Sequence, residues 1–422
     1  MKIINQFLAL SLMCSCIAYA SAIADSQMIC GQENRENPME ALVYENLNYG
    51  LAWFGKGNHC IQGESNNNPY FDIHKKHTLI FVHGWSPNTV PNFTRFNFNA
   101  TRSAGPADST DTISAWLDGT NGDKNPWNIG VFYWNQFADE PPASFEQMQD
   151  IENAVLNAEN KIWSSTTPNI GMRWRSPQGF NDAPPFVNDK SVLDLLYNDY
   201  IKNLSNYQGD IRLVGESLGS QLVLALAKRV DDDIKNHILP ANFLPKQIVL
   251  LDPIVVTQAH LDALINAVQQ LEKDGVTISG YRTSDLGKPR NGSFVVDNTN
   301  LLKYTAFTDM DFCVYPVPDP TPDNMLLYIL AEMKRHVAGS WWYFLSYGLT
   351  TPPRVITAQD PGSWLGPYAN LDSSVLQKYQ QTSQFLSDSL TNKNNHLCDP
   401  NPETLNQEWR QWALDEQSSP VN

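Results

Sequence analysis

The stretch IRLVGESLGSQLVLALA, residues 211–227, contains a short apolar run, the sequence Gly-Glu-Ser-Leu-Gly and a second apolar run with helical spacing. The first run predicts a buried strand and the second a helix, so Ser217 lies at the turn that joins them. A serine in a G-x-S-x-G sequence between a strand and a helix is typical of a nucleophile held on a sharp turn. The alternative is a glycine-rich turn that only lets the strand and the helix pack closely.

Short apolar runs and helical patterns alternate on both sides of this stretch. Further strands are predicted at 77–85, 128–134, 247–256, 277–283 and 301–307, and helices at 191–204, 218–237, 258–275 and about 324–347. Strands that are apolar along their length and alternate with helices indicate a mostly parallel sheet covered by helices on both faces. We therefore expect an α/β fold, with one domain over residues 25–422.

Two long stretches interrupt this alternation, at about 86–127 and about 136–190. Stretches of that length in a compact domain are often functional loops or lids. The second carries several large apolar residues, so it either packs a small core of its own or forms a cap over a substrate site. The residues after 350 are expected to form a polar C-terminal tail.

Residues 1–24 resemble a secretory signal peptide. Lys2 precedes an apolar run, and small-residue cleavage sites follow at Ala20 and Ala24. A membrane anchor at this end, or lipid attachment at Cys14 or Cys16, are the alternatives. We therefore expect a secreted protein, which in a bacterium means either an extracellular or a periplasmic one.

Four cysteines follow the signal segment: Cys30, Cys60, Cys313 and Cys398. An even number of cysteines in an oxidising compartment suggests two disulfides. Pairing of Cys30 with Cys60 and of Cys313 with Cys398 is the local arrangement among three connectivities. No cysteine or histidine cluster has the spacing of zinc ligands, so no metal is expected.

The composition excludes some classes of partner. The chain has 422 residues, of which 42% are hydrophobic, and this describes a folded globular protein. Its formal net charge is −16 and no basic run is visible, so nucleic acid is not an expected partner. A small ester or lipid substrate, with at most transient contact with a lipid interface, fits this charge better, and we expect a monomer.

A nucleophilic serine needs a histidine base and a carboxylate that orients the base. Asp252 lies at the end of the predicted strand IVLLDP, one helix and one strand after Ser217. A carboxylate next to so apolar a run requires a partner, because burying it unpaired costs several kcal/mol. Asp309 and Asp311, after a later predicted strand, are the rival acids.

The candidate base is His336, which precedes a segment of small and aromatic residues, AGSWWYFLS. His396, in a polar stretch beside Cys398, is the second candidate. His260 lies in the helix directly after Asp252 and is expected to face solvent. An ordinary surface histidine remains the alternative for each.

Acyl transfer also needs two backbone N–H groups that stabilise the oxyanion. They come from the residue after the nucleophile and from the loop after an early strand. Leu218 and Trp85 occupy those places. His83, in FVHGW, lies far upstream of the serine and is expected to support that loop through hydrogen bonds.

The motifs FVHGW, GESLG, LDP and HVAGSWWYFLS, in that order, resemble those of the pancreatic-type lipases and phospholipases of the α/β-hydrolase superfamily. The resemblance spans residues 77–347 and implies Ser217 as nucleophile, Asp252 as acid, His336 as base, and the Trp85 and Leu218 amides as oxyanion hole.

The chain departs from the family in three places. Glu216 replaces the usual histidine before the nucleophile, the long insertion precedes the serine, and no second β-sandwich domain is visible. A family-type lid and a colipase-like partner are therefore not expected.

These patterns together predict a serine hydrolase that cleaves carboxylic esters, above all lipid esters, without a cofactor. Other chemistry on the same fold, such as peptide hydrolysis or polyester depolymerisation, is the first alternative, because a fold and a triad do not select the substrate. A non-catalytic binding protein with this fold is the second alternative.

Overall fold

The computed structural model describes residues 47–382, with gaps at 64, 66–67, 93, 101–109, 120–124, 146, 167–169, 289–294, 310–324, 348–368 and 371–372. The predicted signal peptide lies outside the described residues, as do Cys30, Cys313, Cys398, Asp311 and His396. Cys60 is disulfide-bonded, so its partner is a cysteine beyond the described part, and the connectivity stays a prediction.

The strands are β1 (Gly50–Phe54), β2 (Cys60–Gln62), β3 (His77–Val82), β4 (Asn99–Ala100), β5 (Thr110–Asp111), β6 (Trp127–Tyr133), β7 (Arg173–Ser176), β8 (Gly179–Asp182), β9 (Asp210–Glu216), β10 (Gln247–Leu251), β11 (Thr277–Arg282) and β12 (Ala306–Asp309). The α-helices are α1 (Ser114–Asp118), α2 (Asn135–Ala138), α3 (Met148–Trp163), α4 (Val192–Leu204), α5 (Gly219–Lys235), α6 (Gln258–Lys273), α7 (Thr299–Leu302), α8 (Met325–Ser346) and α9 (Ser373–Thr382).

Eight strands form one sheet in the order β12-β11-β10-β9-β3-β6-β1-β2. The six strands from β12 to β6 run parallel to one another, whereas β1 is antiparallel to both β6 and β2. The predicted α/β architecture with a mostly parallel sheet is thus confirmed. The carboxyl ends of β3, β9 and β10 lie side by side, which is where parallel α/β sheets bind their ligands.

Side chains alternate between the two faces of the sheet, and each face has its own apolar core. In β3, Ile80 and Val82 join the core that contains α4, α5 and α6. Leu79 and Phe81 join the opposite core, which contains α1 and the carboxyl half of α8. Both faces are therefore covered, as the continuous apolar pattern of the strands predicts.

The segment before the first predicted strand holds two strands that the sequence patterns did not predict. β1 pairs with β6 and extends the sheet in the antiparallel sense. Its five residues are all buried, so it lacks the polar alternation that marks a strand with one face exposed.

The predicted strand at 301–307 is wrong in its first half. Leu301 and Leu302 belong to α7, and strand β12 begins only at Ala306. Leu302 lies against Gly280 of β11, where a Cβ would come within 2.5 Å of its side chain. A short apolar run has the same appearance in a buried helix and in a strand, which explains the error.

The 136–190 insertion contains α2, α3 and the β7–β8 hairpin. Its apolar residues pack mainly into the large core of the domain, where Met172 and Trp174 are buried. Phe186, by contrast, is 65% exposed. The insertion thus packs against the sheet domain instead of forming a separate small core.

The tail after 350 is polar in composition, but part of it packs on the sheet. In α9, Leu376 and Gln380 are buried, and Gln380 Oε1 accepts a hydrogen bond of 2.8 Å from Ile278 N of β11. Among the helices that the structure describes, none is long and apolar enough to span a bilayer.

Candidate active site

Ser217 lies on the turn between β9 and α5, as the G-x-S-x-G pattern predicts. Its φ of 55° is in the left-handed region, which is strained for a residue with a side chain. The glycines on either side make the tight turn fit. A Cβ on Gly219 would lie 2.0 Å from Val82 O, and one on Gly215 would lie 2.5 Å from Gly219 O.

Asp252 follows β10, the strand next to β9, and also has a positive φ, of 45°. It is 1% exposed and its carboxylate is fully engaged. The backbone N–H groups of Thr283 and Ser284 donate to Oδ1 over 3.1 and 3.3 Å, and the Ser284 hydroxyl donates to Oδ2. These bonds satisfy both oxygens of the carboxylate in a buried place.

His336 lies in α8 and its Nδ1 is 2.6 Å from Asp252 Oδ2. The residues of α8 before His336 pack near Trp85, and those after it pack on the sheet face that contains Phe81. The helix thus passes the carboxyl edge of the sheet with His336 in its middle. The expected acid and base are brought together, next to the turn that carries Ser217.

The rival residues are placed differently. The backbone of Asp309 ends β12, two strands away from β10, while the His336 ring contacts Asp252. His260 does not face solvent as expected. Its ring stacks on Trp163 and its Nδ1 is 2.6 Å from the buried carboxylate of Glu159.

Ser217 and His336, the expected nucleophile and base, are not hydrogen-bonded to each other. His336 Nε2 lies 3.0 Å from Glu216 Oε1 instead. The second oxygen of Glu216, Oε2, accepts a hydrogen bond of 2.9 Å from Gly84 N. Within the described residues, Ser217 Oγ takes part in no hydrogen bond. The sequence marked Glu216 as a departure from the resembling family, but not as a partner of the base.

The electrostatics of the site follow from this arrangement. Burial alone would lower the pKa of His336, but the carboxylates of Asp252 and Glu216 outweigh burial and raise it to about 10. The imidazolium is therefore the favoured form at neutral pH in this arrangement. A histidine must be neutral to accept a proton from a serine hydroxyl, so this protonated form could not act as a base.

Both expected oxyanion donors are adjacent in the chain to residues at the Ser217 turn: Leu218 follows Ser217, and Trp85 follows Gly84, which lies against Ser217. Leu218 caps the N-terminus of α5, where the helix dipole favours negative charge. Trp85 follows β3, and its Nε1 donates to Glu140 O over 2.8 Å. Neither backbone N–H donates to another group in the part of the chain that the structure describes. Both amides are therefore available to an oxyanion.

The loop after β3 is held by His83, as expected. The side chain is buried, and burial lowers its pKa to about 4, so the ring is neutral. Nδ1 lies 2.9 Å from Gly84 O, and Nε2 accepts from Trp134 N over 3.3 Å. This ring supports the loop and is not placed as a second base.

Two acidic residues after β6 fix the same loop, and no sequence motif predicted a role for either. Asp139 accepts hydrogen bonds from Asn88 N and Val90 N, over 2.5 and 2.9 Å. Glu140 is buried with Lys161 and Arg173, whose charges outweigh burial and lower its pKa. The sequence ADEPP places both carboxylates shortly after a predicted strand, and this position was the available indication that they lie near the site.

A third buried carboxylate positions the segment after Asp252. Glu159 of α3 accepts hydrogen bonds from Val256 N and Thr257 N, over 2.6 and 3.2 Å. It also accepts from Gln221 Nε2 of α5 over 2.8 Å. The insertion is thus tied both to the helix after Ser217 and to the segment that follows Asp252.

An apolar cluster lies next to the loop after β3, which we call the oxyanion loop because it carries Trp85, one of the two expected oxyanion donors. Ile151 of α3 and Ile329 of α8 are buried in it, and Trp85 packs against it. Its other members are Phe145, Val155, Tyr328 and Met333. The surroundings of the oxyanion loop are therefore apolar on the side where α3 and α8 meet.

In the part of the chain that the structure describes, no group of three or more His, Cys, Asp or Glu residues is arranged to hold a metal ion. Comparison of the chain with known proteins found no family model that matches it and no curated protein with significant similarity.

Proposed function

We propose that the protein is a serine hydrolase that cleaves carboxylic esters. The observation that carries this proposal is the contact between the His336 ring and Asp252, 2.6 Å, beside the strained turn at Ser217. Strained backbone at a nucleophile and a histidine held by a buried carboxylate are costly features that a merely structural turn does not need.

The proposed reaction has two steps. Neutral His336 takes the proton of Ser217 Oγ while Oγ bonds to the ester carbonyl carbon, and the Trp85 and Leu218 amides stabilise the oxyanion. The carbon–alkoxide bond then breaks and His336 gives its proton to the leaving alcohol. Water, activated by the same histidine, attacks the acyl-enzyme and releases the acid and free Ser217.

Lipid esters are the substrate class that we favour. The apolar cluster of α3 and α8 residues around Trp85 lies beside the oxyanion loop. An acyl chain on the carbonyl carbon would meet apolar side chains there, whose contact with it is favourable. Secretion is part of the proposal, and the disulfide at Cys60 supports it, because disulfides persist in oxidising compartments.

The contact between His336 Nε2 and Glu216 favours one competing function, a binding protein with this fold but without catalysis. A histidine that is held by two carboxylates is a poor base. The two functions differ in whether Ser217 reacts with an acylating or phosphonylating reagent.

The test is reaction of the folded protein with a fluorophosphonate, in parallel with hydrolysis of p-nitrophenyl esters from acetate to palmitate. We expect wild type to be labelled and active, and Ser217→Ala to lose both properties while its thermal unfolding is unchanged. The matched control is Ser205→Ala at an exposed serine, which should behave as wild type.

Labelling that persists in Ser217→Ala, or folded wild type that neither labels nor hydrolyses any ester between pH 5 and 10, would contradict the proposal. The second outcome would favour the binding protein. Rates that increase with chain length would support lipid esters, and activity restricted to acetate would exclude them.

A further inference from the structure

Glu216 connects three parts of the site with one carboxylate. Its backbone ends β9 and precedes Ser217, its Oε1 lies 3.0 Å from His336 Nε2, and its Oε2 accepts from Gly84 N over 2.9 Å. The side chain is 14% exposed, compared with 11% for His336. The Glu216 carboxylate is therefore in contact with Nε2 of His336, the nitrogen that must accept the Ser217 proton in the proposed reaction.

The contacts of the two carboxylates favour a proton on each ring nitrogen of His336. An ionised carboxylate only accepts hydrogen bonds, and both oxygens of Glu216 have a partner, Gly84 N–H on one side and His336 on the other. Asp252 in turn accepts from His336 Nδ1. If both carboxylates are ionised, each ring nitrogen of His336 presents a proton to one of them, and the ring is then an imidazolium that cannot accept a proton from Ser217.

We propose that Glu216 is a positioning residue which holds His336 in its protonated form, with Nε2 turned to a carboxylate instead of to Ser217, until that carboxylate is displaced or the ring loses its proton. This inference rests on the proposed hydrolase function. It assigns a role in the reaction to the residue at which the chain departs from the family that it resembles.

The charged groups around the ring support this role. From the sheet edge, Asp252 and Glu216 face His336, and both raise its pKa. On α8 itself, Glu332 accepts from Asp285 N and lies 3.6 Å from Arg335, so these two neighbours are paired with each other. His83, near Glu216, is neutral. Negative charge thus dominates around the ring.

A kinetic consequence follows. The fraction of His336 that is neutral sets the rate at which Ser217 is activated, so the rate should rise with pH through an alkaline midpoint. Removing the Glu216 charge leaves Asp252 as the single carboxylate on the ring. A nearby opposite charge shifts a pKa by about 1 to 3 units, so the midpoint should move down by that amount.

The experiment measures the second-order rate constant of fluorophosphonate inactivation from pH 5 to 10 for wild type and Glu216→Gln. The glutamine keeps an oxygen that can accept from Gly84 N–H but carries no charge. We expect the midpoint to fall by about 1 to 3 pH units, which makes Glu216→Gln about tenfold faster than wild type at pH 7 for each unit.

The control is Asp189→Asn, which removes the same charge from an exposed site and should leave the midpoint unchanged. Inactivation that depends on Ser217 but has the same midpoint in wild type and Glu216→Gln would overturn this inference and leave the hydrolase proposal intact. No inactivation of either protein at any pH would overturn the hydrolase proposal itself.

A second measurement depends neither on the reactivity of Ser217 nor on whether Glu216→Gln folds. In wild type labelled with ¹⁵N-histidine, the His336 ring signals, assigned by comparison with His336→Gln, should report two protonated nitrogens at pH 7. A neutral His336 ring at that pH would overturn the inference, even if Glu216→Gln fails to fold.

Discussion

Ser217 and Asp252 are residues with side chains that both adopt positive φ, at the ends of the neighbouring strands β9 and β10. Such backbone costs of order 1–3 kcal/mol at each position and persists only when the surroundings hold it. Here Ser217 N donates to Leu251 O over 3.0 Å and Ile254 N donates to Ser217 O over 3.3 Å. The two turns therefore stabilise each other.

At the residue scale, Asp252→Asn tests the identity of the acid. An asparagine amide beside His336 Nδ1 would favour the wrong tautomer, so we expect fluorophosphonate inactivation to slow by about 10³- to 10⁴-fold. The rate should be measured at the pH optimum of each protein, with thermal unfolding as the check on folding.

The matched substitution is Asp309→Asn, at the rival acid. Because the His336 ring contacts Asp252, this variant should react within twofold of wild type. If Asp309→Asn were slow and Asp252→Asn fast, the acid would be misassigned.

At the scale of elements, the site depends on two loops that follow neighbouring strands, β3 and β6. The loop after β3 carries Gly84 and Trp85. The loop after β6 carries Asp139 and Glu140, which accept hydrogen bonds from the loop after β3 and hold it in place. A Cβ on Gly84 would lie 2.4 Å from Ser217 Cβ, so the loop after β3 lies directly against Ser217. Asp139, through its carboxylate, and Glu140, through its backbone carbonyl, thus hold the loop that carries the proposed oxyanion donor.

Asp139 gives this arrangement a pH dependence. Burial outweighs its two N–H donors and raises its pKa from 3.8 to about 6, so the folded protein binds this proton more tightly than the unfolded chain does. The contribution of Asp139 to stability is therefore full below about pH 4 and falls as the pH rises to about 6. Asp139→Asn removes this dependence.

We expect the free energy of unfolding of Asp139→Asn, relative to wild type, to improve by about 2 to 3 kcal/mol between pH 4 and pH 7. Urea denaturation at both pH values measures this difference. The exposed Asp189→Asn substitution should show no such change. A relative stability of Asp139→Asn that stays constant or declines over this range would contradict the raised pKa.

At the scale of the whole molecule, residues distant in sequence complete the sheet domain. α9 lies in the segment that was expected to be a polar tail, yet its Gln380 accepts a hydrogen bond from Ile278 N of β11. In that strand, the pairing with β12 begins only at Ser279. The glutamine thus satisfies a buried donor just beyond the end of the neighbouring strand.

Gln380→Ala should therefore lower the free energy of unfolding by about 1–3 kcal/mol, because it leaves the Ile278 N–H without its partner. Gln377, an exposed residue of the same helix, is the matched control, and Gln377→Ala should change stability by less than about 0.5 kcal/mol. Urea denaturation at neutral pH distinguishes them. Equal effects of the two substitutions would show that α9 does not stabilise the sheet.

Local patterns were sufficient for the order of the main elements and for the candidate residues. The apolar runs of β3 and β10 are continuous and that of β9 is interrupted by Arg212. Each run is followed by a glycine or a polar residue, so the strands and the polar residues at their ends could be predicted. That Ser217, Asp252 and His336 lie at one edge follows from the parallel order of the strands and from motif order. The order of the strands and helices, and the polar residues at the strand ends, could be predicted because periodicity is a local property of the sequence.

Tertiary structure alone decided the features that depend on distant contacts. β1 joins the sheet through β6, Glu159 reaches the segment after Asp252, and α9 covers the end of β11. The contact between Glu216 and His336 joins residues 120 positions apart in the chain, on a strand end and a helix. A sequence pattern identifies a carboxylate and a histidine, but the distance between them depends on how the strands and helices pack. That packing places the carboxylate of Glu216 beside the Nε2 atom of His336.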